Sequence, residues 1–116
     1  MDNPAPGRSY GVAAPETIKQ MSGLEFLSAI RDGQLPSAPI SEGLDFYLDT
    51  VEPGFVVFIG NPAMRHYNPI GTVHGGYAAT LLDSCMSCAV QTTLERGQGY
   101  TTLEFKVHLV RAITDK

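Results

Sequence analysis

The feature that most constrains the fold of this chain is a stretch of about eighteen residues, Gly75 to Thr92, that is rich in Ala, Leu, Met and Cys. It holds no proline and, beyond its first two residues, no glycine, so nothing in it interrupts a helix. Apolar side chains occupy almost every side of that helix, which predicts that most of its surface is buried. Polar residues, Asp83 among them, make the stretch too polar to span a membrane, and no membrane contact is predicted.

A shorter helix and a connector are predicted before this long helix. Ser22-Gly23-Leu24-Glu25 has the spacing of a capping box, in which the first and fourth side chains bond to each other's backbone amides. Apolar residues then recur at helical intervals until Gly33, which suits the end of a helix. The next residues, Gln34 to Glu42, contain two prolines and are predicted to be a connector.

Three strands are predicted from apolar runs and from apolar and polar residues in alternation. The first runs from Leu44 through Asp49, the second is Phe55–Ile59, and the turn Glu52-Pro53-Gly54 joins them into a hairpin. The third runs from Leu103 to Leu109, after the long helix. The order helix, strand, strand, long helix, strand predicts an α+β fold.

Length and charge restrict what such a fold does. With 116 residues the chain is one domain, predicted at residues 17–116 after a flexible N-terminal tail, residues 1–16, that is rich in Pro and Gly. The net charge of −4 argues against nucleic acid as a partner. Only 17% of the residues are charged, against about 25% on average. Part of the surface is therefore expected to be hidden in a homo-oligomer.

The amino terminus and the cysteines indicate the compartment. The first sixteen residues lack the basic and apolar regions of a signal peptide, and Cys85 and Cys88 cannot build a disulfide framework, so a cytoplasmic location is predicted. The Cys-x-x-Cys spacing also occurs in redox and zinc sites, but here it lies deep inside a helix. We interpret both cysteines as small core residues, and His66 and His108 as loop and surface residues. No metal site is predicted.

Asp83 is the only formally charged side chain between His66 and Leu94. A buried carboxylate needs a partner, and no Lys or Arg lies within one helical turn of it. Two interpretations remain open. The carboxylate accepts hydrogen bonds from Thr80 or Ser87, or it is kept for catalysis.

The start of the same helix is a second candidate for chemistry. His74-Gly75-Gly76 places two glycines where a helix exposes unpaired N–H groups, which would suit an oxyanion. A tight turn that needs positive φ is the alternative. Asp83 lies eight residues beyond Gly75, or about 12 Å along the helix axis. That is too far for both to act on one carbonyl, so a site that uses both must combine two chains at a dimer interface.

Three segments of the sequence carry a resemblance: Asn68-Pro-Ile-Gly71-Thr-Val-His74-Gly75-Gly76, Leu81-Leu82-Asp83-Ser84 and Tyr100-Thr101-Thr102-Leu103-Glu104-Phe105-Lys106-Val107. They closely resemble the hotdog-fold thioesterases of the phenylacetic-acid-pathway (PaaI-like) type. The resemblance implies a long central helix wrapped by a curved antiparallel sheet, in dimers or tetramers. It also implies further strands beyond the point that corresponds to Lys116, so residues 17–116 are expected to lack the C-terminal strands of that sheet.

The resemblance implies hydrolysis of an acyl-CoA thioester and assigns roles in it. Asp83 would be the nucleophile or the general base. The Gly75 N–H would polarise the thioester carbonyl, with His74 beside it, and Asn68 would orient the carbonyl or the water. Further substrate contacts would come from Gly76, Thr101 and Thr102. No metal or organic cofactor is required.

Two rival functions are weighed against hydrolysis. A non-catalytic hotdog module would bind acyl-CoA or an aromatic ligand, but it would gain nothing from Asp83 beside an acyl group. A hotdog hydratase would need a catalytic histidine on the same helix, and Ser87 and Cys88 offer none. Aryl, short and medium-chain acyl groups all remain open as substrates.

Overall fold

The structure is a computed structural model that describes residues 8–116. Within that range it holds four α-helices and one sheet of two antiparallel strands. The helices are α1 (Pro15–Lys19), α2 (Gly23–Arg31), α3 (Pro39–Leu44) and α4 (Gly75–Gln91), and the strands are β1 (Phe46–Glu52) and β2 (Phe55–Gly60). The predicted α+β class is confirmed. A long helix beside an antiparallel sheet fits a hotdog fold.

The α2 helix forms as its capping box predicts. The Ser22 hydroxyl accepts a hydrogen bond from the Glu25 amide at 3.1 Å, and the Glu25 carboxylate accepts one from the Ser22 amide at 2.8 Å. The helix ends before Gly33, whose φ of 80° lies in the left-handed region that glycine adopts without strain. Both ends of this helix are therefore set by local sequence.

The hairpin of β1 and β2 pairs Phe46 with Gly60 at one end and Glu52 with Phe55 at the other. A bulge between Leu48 and Thr50 adds one residue to β1. The extra residue shifts the alternation, so that Leu48 and Val51 both face the core. The predicted turn and second strand are confirmed.

The predicted start of β1 at Leu44 is wrong. Leu44 is the last residue of α3, a helix that occupies part of the predicted connector. Pro39 is compatible with the first turn of a helix, where its missing N–H costs nothing. Asp45 then has a φ of 51°, and this left-handed residue redirects the chain into the strand at Phe46.

The core lies where α2 and α4 pack against the hairpin. Its most buried members are Leu27 of α2, Leu48 and Val51 of β1, and Val56 of β2. The α4 helix contributes Cys85, Cys88 and Ala89, which pack against this cluster. The α4 helix is thereby fixed with one face toward the sheet.

The opposite face of α4 is less buried than the sequence predicts. Leu82, Met86 and Val90 stand four residues apart on one stripe and are 43%, 46% and 53% exposed. Of the α4 side chains only Tyr77 is fully buried. The prediction that most of the helix surface is buried is therefore wrong for a single copy of the chain, because no helix or strand among residues 8–116 covers the stripe.

The predicted strand from Leu103 to Leu109 is also wrong. No strand forms there within the described residues, and Leu103 is 95% exposed. Alternating side chains give a segment two faces, but a strand also needs a hydrogen-bonding neighbour. The segment beyond is held by a bond from the Val73 amide to the Ile113 carbonyl at 2.9 Å and by one from the Tyr67 hydroxyl to Asp115 at 2.6 Å.

The predicted flexible tail, residues 1–16, stays a prediction. Residues 1–7 lie outside the described residues. Beyond them, the Ser37 amide donates to the Ser9 carbonyl at 2.8 Å and the Gly11 amide donates to the Ser37 carbonyl at 3.0 Å. The α1 helix then starts at Pro15.

Candidate active site

Asp83 lies near the middle of α4, half-buried, and its carboxylate is hydrogen-bonded to hydroxyl groups. The Thr102 hydroxyl donates to Asp83 Oδ1 at 2.8 Å, and the Ser87 hydroxyl stands 3.4 Å from the same oxygen. Ser87 and Thr102 are 3.1 Å apart. The alternative partner Thr80 bonds instead to the Gly76 carbonyl at 2.8 Å. Asp83 is thus held by one close hydroxyl and one distant one, with no cation among the described residues paired to it.

Thr102 reaches Asp83 because the chain reverses after α4. Gly97 has a φ of 81°, a conformation that glycine adopts without strain, and the segment that follows runs back along the helix. Thr101 lines the same cavity as Thr102. Tyr100 lines it too, and its burial raises the pKa of its phenol. Sequence reasoning did not select Tyr100, although an aromatic residue directly before two threonines was a signal for it.

The backbone amides of the two glycines at the start of α4 differ in their hydrogen bonds. His74 is the N-cap residue, and its Nδ1 accepts a hydrogen bond from the Gly76 amide at 2.8 Å. The Gly75 amide has no acceptor among the described residues. The Gly76 N–H therefore belongs to the helix cap, whereas the Gly75 N–H, which is predicted to polarise a carbonyl, makes no hydrogen bond with the described residues.

Asn68 holds the loop that leads into α4. Its Oδ1 accepts from the Ile70 amide at 3.0 Å and from the Thr72 amide at 3.2 Å, and its Nδ2 donates to the Thr72 hydroxyl at 2.9 Å. Gly71 completes this loop with a φ of 93°. In this structure the side chain of Asn68 therefore supports its own loop, while its predicted contact with the substrate stays a prediction.

His66 was interpreted from the sequence as a loop residue, but its side chain is buried at 6% exposure. The Ala63 amide donates to its Nδ1 at 2.9 Å, so Nε2 carries the proton that is shared with the Gly43 carbonyl at 2.9 Å. Its backbone carbonyl accepts from the His74 amide at 2.8 Å, and its ring lies 4.9 Å from that of Tyr77. His66 thus connects the start of α4 to α3, a role that no sequence signal indicated.

The candidate residues fall into two groups within one chain. Asp83, Thr101 and Thr102 line a cavity of about 620 Å³. Asn68 lines another, of about 270 Å³, together with His74 and Gly75. Gly76 lines neither of these two cavities. We call these two groups, the one at Asp83 and the one at Gly75, the candidate half-sites; they lie at different positions along α4, as the spacing of Gly75 and Asp83 requires.

The two cysteines pack in the core, as the sequence analysis interprets them. The Cys85 thiol donates to the Val56 carbonyl at 3.6 Å. Burial raises the pKa of the Cys88 thiol to about 11, so this group stays protonated at neutral pH. Among residues 8–116, no group of three His, Cys, Asp or Glu side chains is arranged to hold a metal ion. Over the same residues, no helix has the length and apolar character needed to cross a membrane.

Comparison with known proteins gives one match. Residues 70–116 match the family model of the thioesterase superfamily. The matched stretch holds α4 and all that follows it, so it includes His74, Gly75, Asp83 and Thr102. Neither the curated proteins nor the solved structures give a match. The result agrees with the predicted family at the level of the superfamily and supports hydrolysis of thioesters in general.

Proposed function

We propose that this chain is a PaaI-like acyl-CoA thioesterase, in which Asp83 of one copy acts together with the Gly75 amide of a second copy. Asp83 is the nucleophile or the general base, and Gly75 donates to the oxyanion. The observation that carries the proposal is the Asp83 carboxylate, hydrogen-bonded by Thr102 at the edge of an apolar cavity. The superfamily match over the same residues supports it.

The chemistry of a thioester suits so small a set of groups. With Asp83 as general base, the carboxylate takes a proton from water, the water oxygen bonds to the carbonyl carbon, and the negative charge moves to the carbonyl oxygen. An N–H donor stabilises that oxyanion. The C–S bond then breaks, and the thiolate leaves and takes up a proton, giving the acid and coenzyme A. With Asp83 as nucleophile, the carboxylate oxygen bonds to the carbonyl carbon first, the C–S bond breaks and the thiolate leaves, and water then hydrolyses the resulting anhydride to the acid and the free Asp83 carboxylate.

The second copy is inferred from two features of α4. The half-sites are separated along the helix, and the exposed stripe of Leu82, Met86 and Val90 lies beside Asp83. Apolar side chains that line up on one face are commonly covered by another chain. In the proposed dimer the second copy covers this stripe and its Gly75 lies at Asp83, and pairs of such dimers would form a tetramer. We place this activity in the cytoplasm.

The first test replaces the carboxylate. Asp83→Asn keeps an oxygen that accepts the Thr102 hydrogen bond but removes the base or nucleophile. We expect hydrolysis of phenylacetyl-CoA or hexanoyl-CoA to fall by at least about 100-fold, measured as thiol release. Asp49→Asn, at an exposed carboxylate in the bulge of β1, is the matched control and should keep full activity. If Asp83→Asn hydrolyses at the wild-type rate, the assignment is wrong.

The second test removes the amide. Gly75 is the first residue of α4, a position that tolerates proline, and His74 before it has φ −58° and ψ 135°, which proline also permits. Gly75→Pro should therefore keep the helix, lose the N–H and lower kcat by about 100-fold or more. Gly75→Ala is the control, because it adds the same contact with the flexible tip of Leu109 but keeps the N–H. Equal losses in both variants would contradict the oxyanion role.

A further inference from the structure

The cavity of about 620 Å³ beside Asp83 extends inward between α2 and α4. Its polar end contains Asp83, Ser87 and Thr102. Apolar side chains of α2 and the hairpin also line it: Phe26, Leu27, Ile30, Phe46, Leu48 and Phe58. Polar side chains of the same cavity lie among them, including Ser37, Ser41 and Gln91. The volume lies within the range of small-molecule sites, roughly 300–1,000 Å³.

This cavity reaches the core of the domain. Leu27 and Leu48, in its wall, are 3% and 6% exposed and belong to the core cluster. A second cavity at Asp83, of about 200 Å³, lies on the other side of the carboxylate. It is lined by Met86, Val90 and Phe105, all of which are exposed at the surface. An apolar group attached to a carbonyl at Asp83 therefore reaches the core of its own chain only through the larger cavity.

Building on the proposed hydrolysis at Asp83, we infer that the substrate carries a medium-chain apolar acyl group that enters this cavity, and that Phe26 and Ile30 set its length. A carbon of the chain takes up roughly the volume of a water molecule, about 30 Å³. An acetyl group then fills about a tenth of the cavity and a decanoyl group about half. A short acyl group leaves the apolar wall without a contact.

Phe26 and Ile30 are placed to act as the stop for the chain. They stand four residues apart on α2, so they share one face of that helix, and both are half-buried against the core cluster. That face forms the wall of the cavity opposite α4. The α2 helix lies outside the residues that match the superfamily.

The wild-type chain tests the acyl class without any substitution. Thiol release is measured with acetyl-, hexanoyl- and decanoyl-CoA. Each buried methylene is expected to raise kcat/KM by up to about fourfold, so hexanoyl-CoA should exceed acetyl-CoA by at least about tenfold, with decanoyl-CoA no worse than hexanoyl-CoA. Equal kcat/KM for the three substrates, or a preference for acetyl-CoA, would overturn the inference.

The variant Ile30→Trp tests the stop. The larger side chain takes up part of the cavity, so kcat/KM for decanoyl-CoA should fall at least tenfold more than kcat/KM for acetyl-CoA. Ile40→Trp is the matched control, because Ile40 is 54% exposed on α3 and does not line the cavity. Ile30→Ala covers the case in which Trp prevents folding, and it should move the preference toward dodecanoyl-CoA. A uniform change across all acyl lengths in both Ile30 variants would show that the acyl group lies elsewhere.

Binding separates this inference from the proposed function. In the Asp83→Asn background, calorimetry should find that decanoyl-CoA binds at least tenfold more tightly than acetyl-CoA. If affinity rises with acyl length but the wild-type chain hydrolyses no substrate, the acyl site is supported and the thioesterase activity is refuted. If the wild-type chain hydrolyses the substrates but neither affinity nor kcat/KM depends on acyl length, the thioesterase activity is supported and the acyl site is refuted.

Discussion

The two neighbouring glycines at the start of α4 differ because of a single side chain. His74 takes the Gly76 amide as its capping bond, which leaves the Gly75 amide with no acceptor among the described residues. A helix exposes its first N–H groups in any case, and here the cap decides which one faces outward. The chemistry of the corner therefore depends on the identity of residue 74 as much as on the glycines.

Ser22 offers a prediction at the same scale. Its backbone and side-chain hydrogen bonds lower the pKa of the Glu25 carboxyl. Ser22→Ala keeps the backbone hydrogen bond, which is the larger cause, and removes the side-chain one. It should therefore raise the pKa of Glu25 part of the way toward its ordinary value, as measured by NMR titration of the carboxyl carbon, and should destabilise α2 by about 1 kcal/mol. Ser28→Ala, on the same helix and away from the cap, should leave the pKa of Glu25 unchanged.

The sign of the pH dependence follows from the direction of this shift. Because the pKa of Glu25 is lower in the folded chain than in the unfolded chain, its contribution to stability is present above the ordinary pKa of a Glu. It is lost as the pH falls through the lowered value. In Ser22→Ala this part of the acid sensitivity should become smaller, because the backbone hydrogen bond remains. An identical loss of stability with pH in both proteins would contradict the capping box as its cause.

Among the elements, the crossing of α2 and α4 depends on the absence of a side chain at Gly23. Its amide donates to the Leu94 carbonyl at 2.9 Å, and a Cβ at this position would lie 1.6 Å from the Gln91 carbonyl oxygen. The contact is with backbone, which cannot rotate away as a side chain does. The two helices that form the walls of the acyl cavity are thus set at a distance that only glycine allows.

Gly23→Ala is therefore expected to lower the free energy of unfolding by about 1–3 kcal/mol or more, measured by urea denaturation. Gly43→Ala is the matched control in α3, because nothing lies within 4 Å of the added Cβ and its φ is not positive. It should be neutral or slightly stabilising. Equal free energies of unfolding for the two variants would contradict the close backbone contact between Gly23 and Gln91.

The elements that could be predicted from the sequence are those that local interactions decide. The capping box of α2, the turn at Pro53-Gly54 and the long α4 each depend on residues close in the chain, and each is confirmed. The third strand could not be predicted correctly, because alternation at Leu103 to Leu109 does not specify a neighbouring strand. The predicted start of β1 was wrong for a related reason. Leu44 continues the alternating pattern of the strand, but it is the last residue of α3.

The candidate site, too, could be predicted from the sequence only in part. The spacing along one helix is enough to separate Gly75 from Asp83, and the two residues do line different cavities. The contact between Asp83 and Thr102 could be expected only from the family resemblance, because it joins residues on either side of a chain reversal. His66 could not be found at all, since its importance lies in contacts with Gly43 and Tyr77 that no local pattern encodes.

For the whole molecule, the two half-sites and the exposed stripe on α4 support the same arrangement. In the proposed enzyme each chain would supply one carboxylate half-site and one amide half-site, about 12 Å apart along the helix. The proposed two-fold dimer would bring the amide half-site of each chain to the carboxylate half-site of the other and so complete two sites at once. A monomer would leave both incomplete and the stripe of Leu82, Met86 and Val90 in water.

This arrangement predicts that two inactive variants restore each other. In a mixture of Asp83→Asn and Gly75→Pro, a hybrid dimer has one site with both defects and one site with neither. Random exchange makes about half of the dimers hybrid, so activity should return to roughly a quarter of wild type per subunit. Mass spectrometry of differently tagged chains establishes that exchange has occurred, and thiol release from hexanoyl-CoA measures the recovery. A mixture of Asp83→Asn with Asp83→Asn carrying the second tag is the control and should stay inactive. Exchange without recovery would mean that each site lies within one chain, and it would refute the shared site.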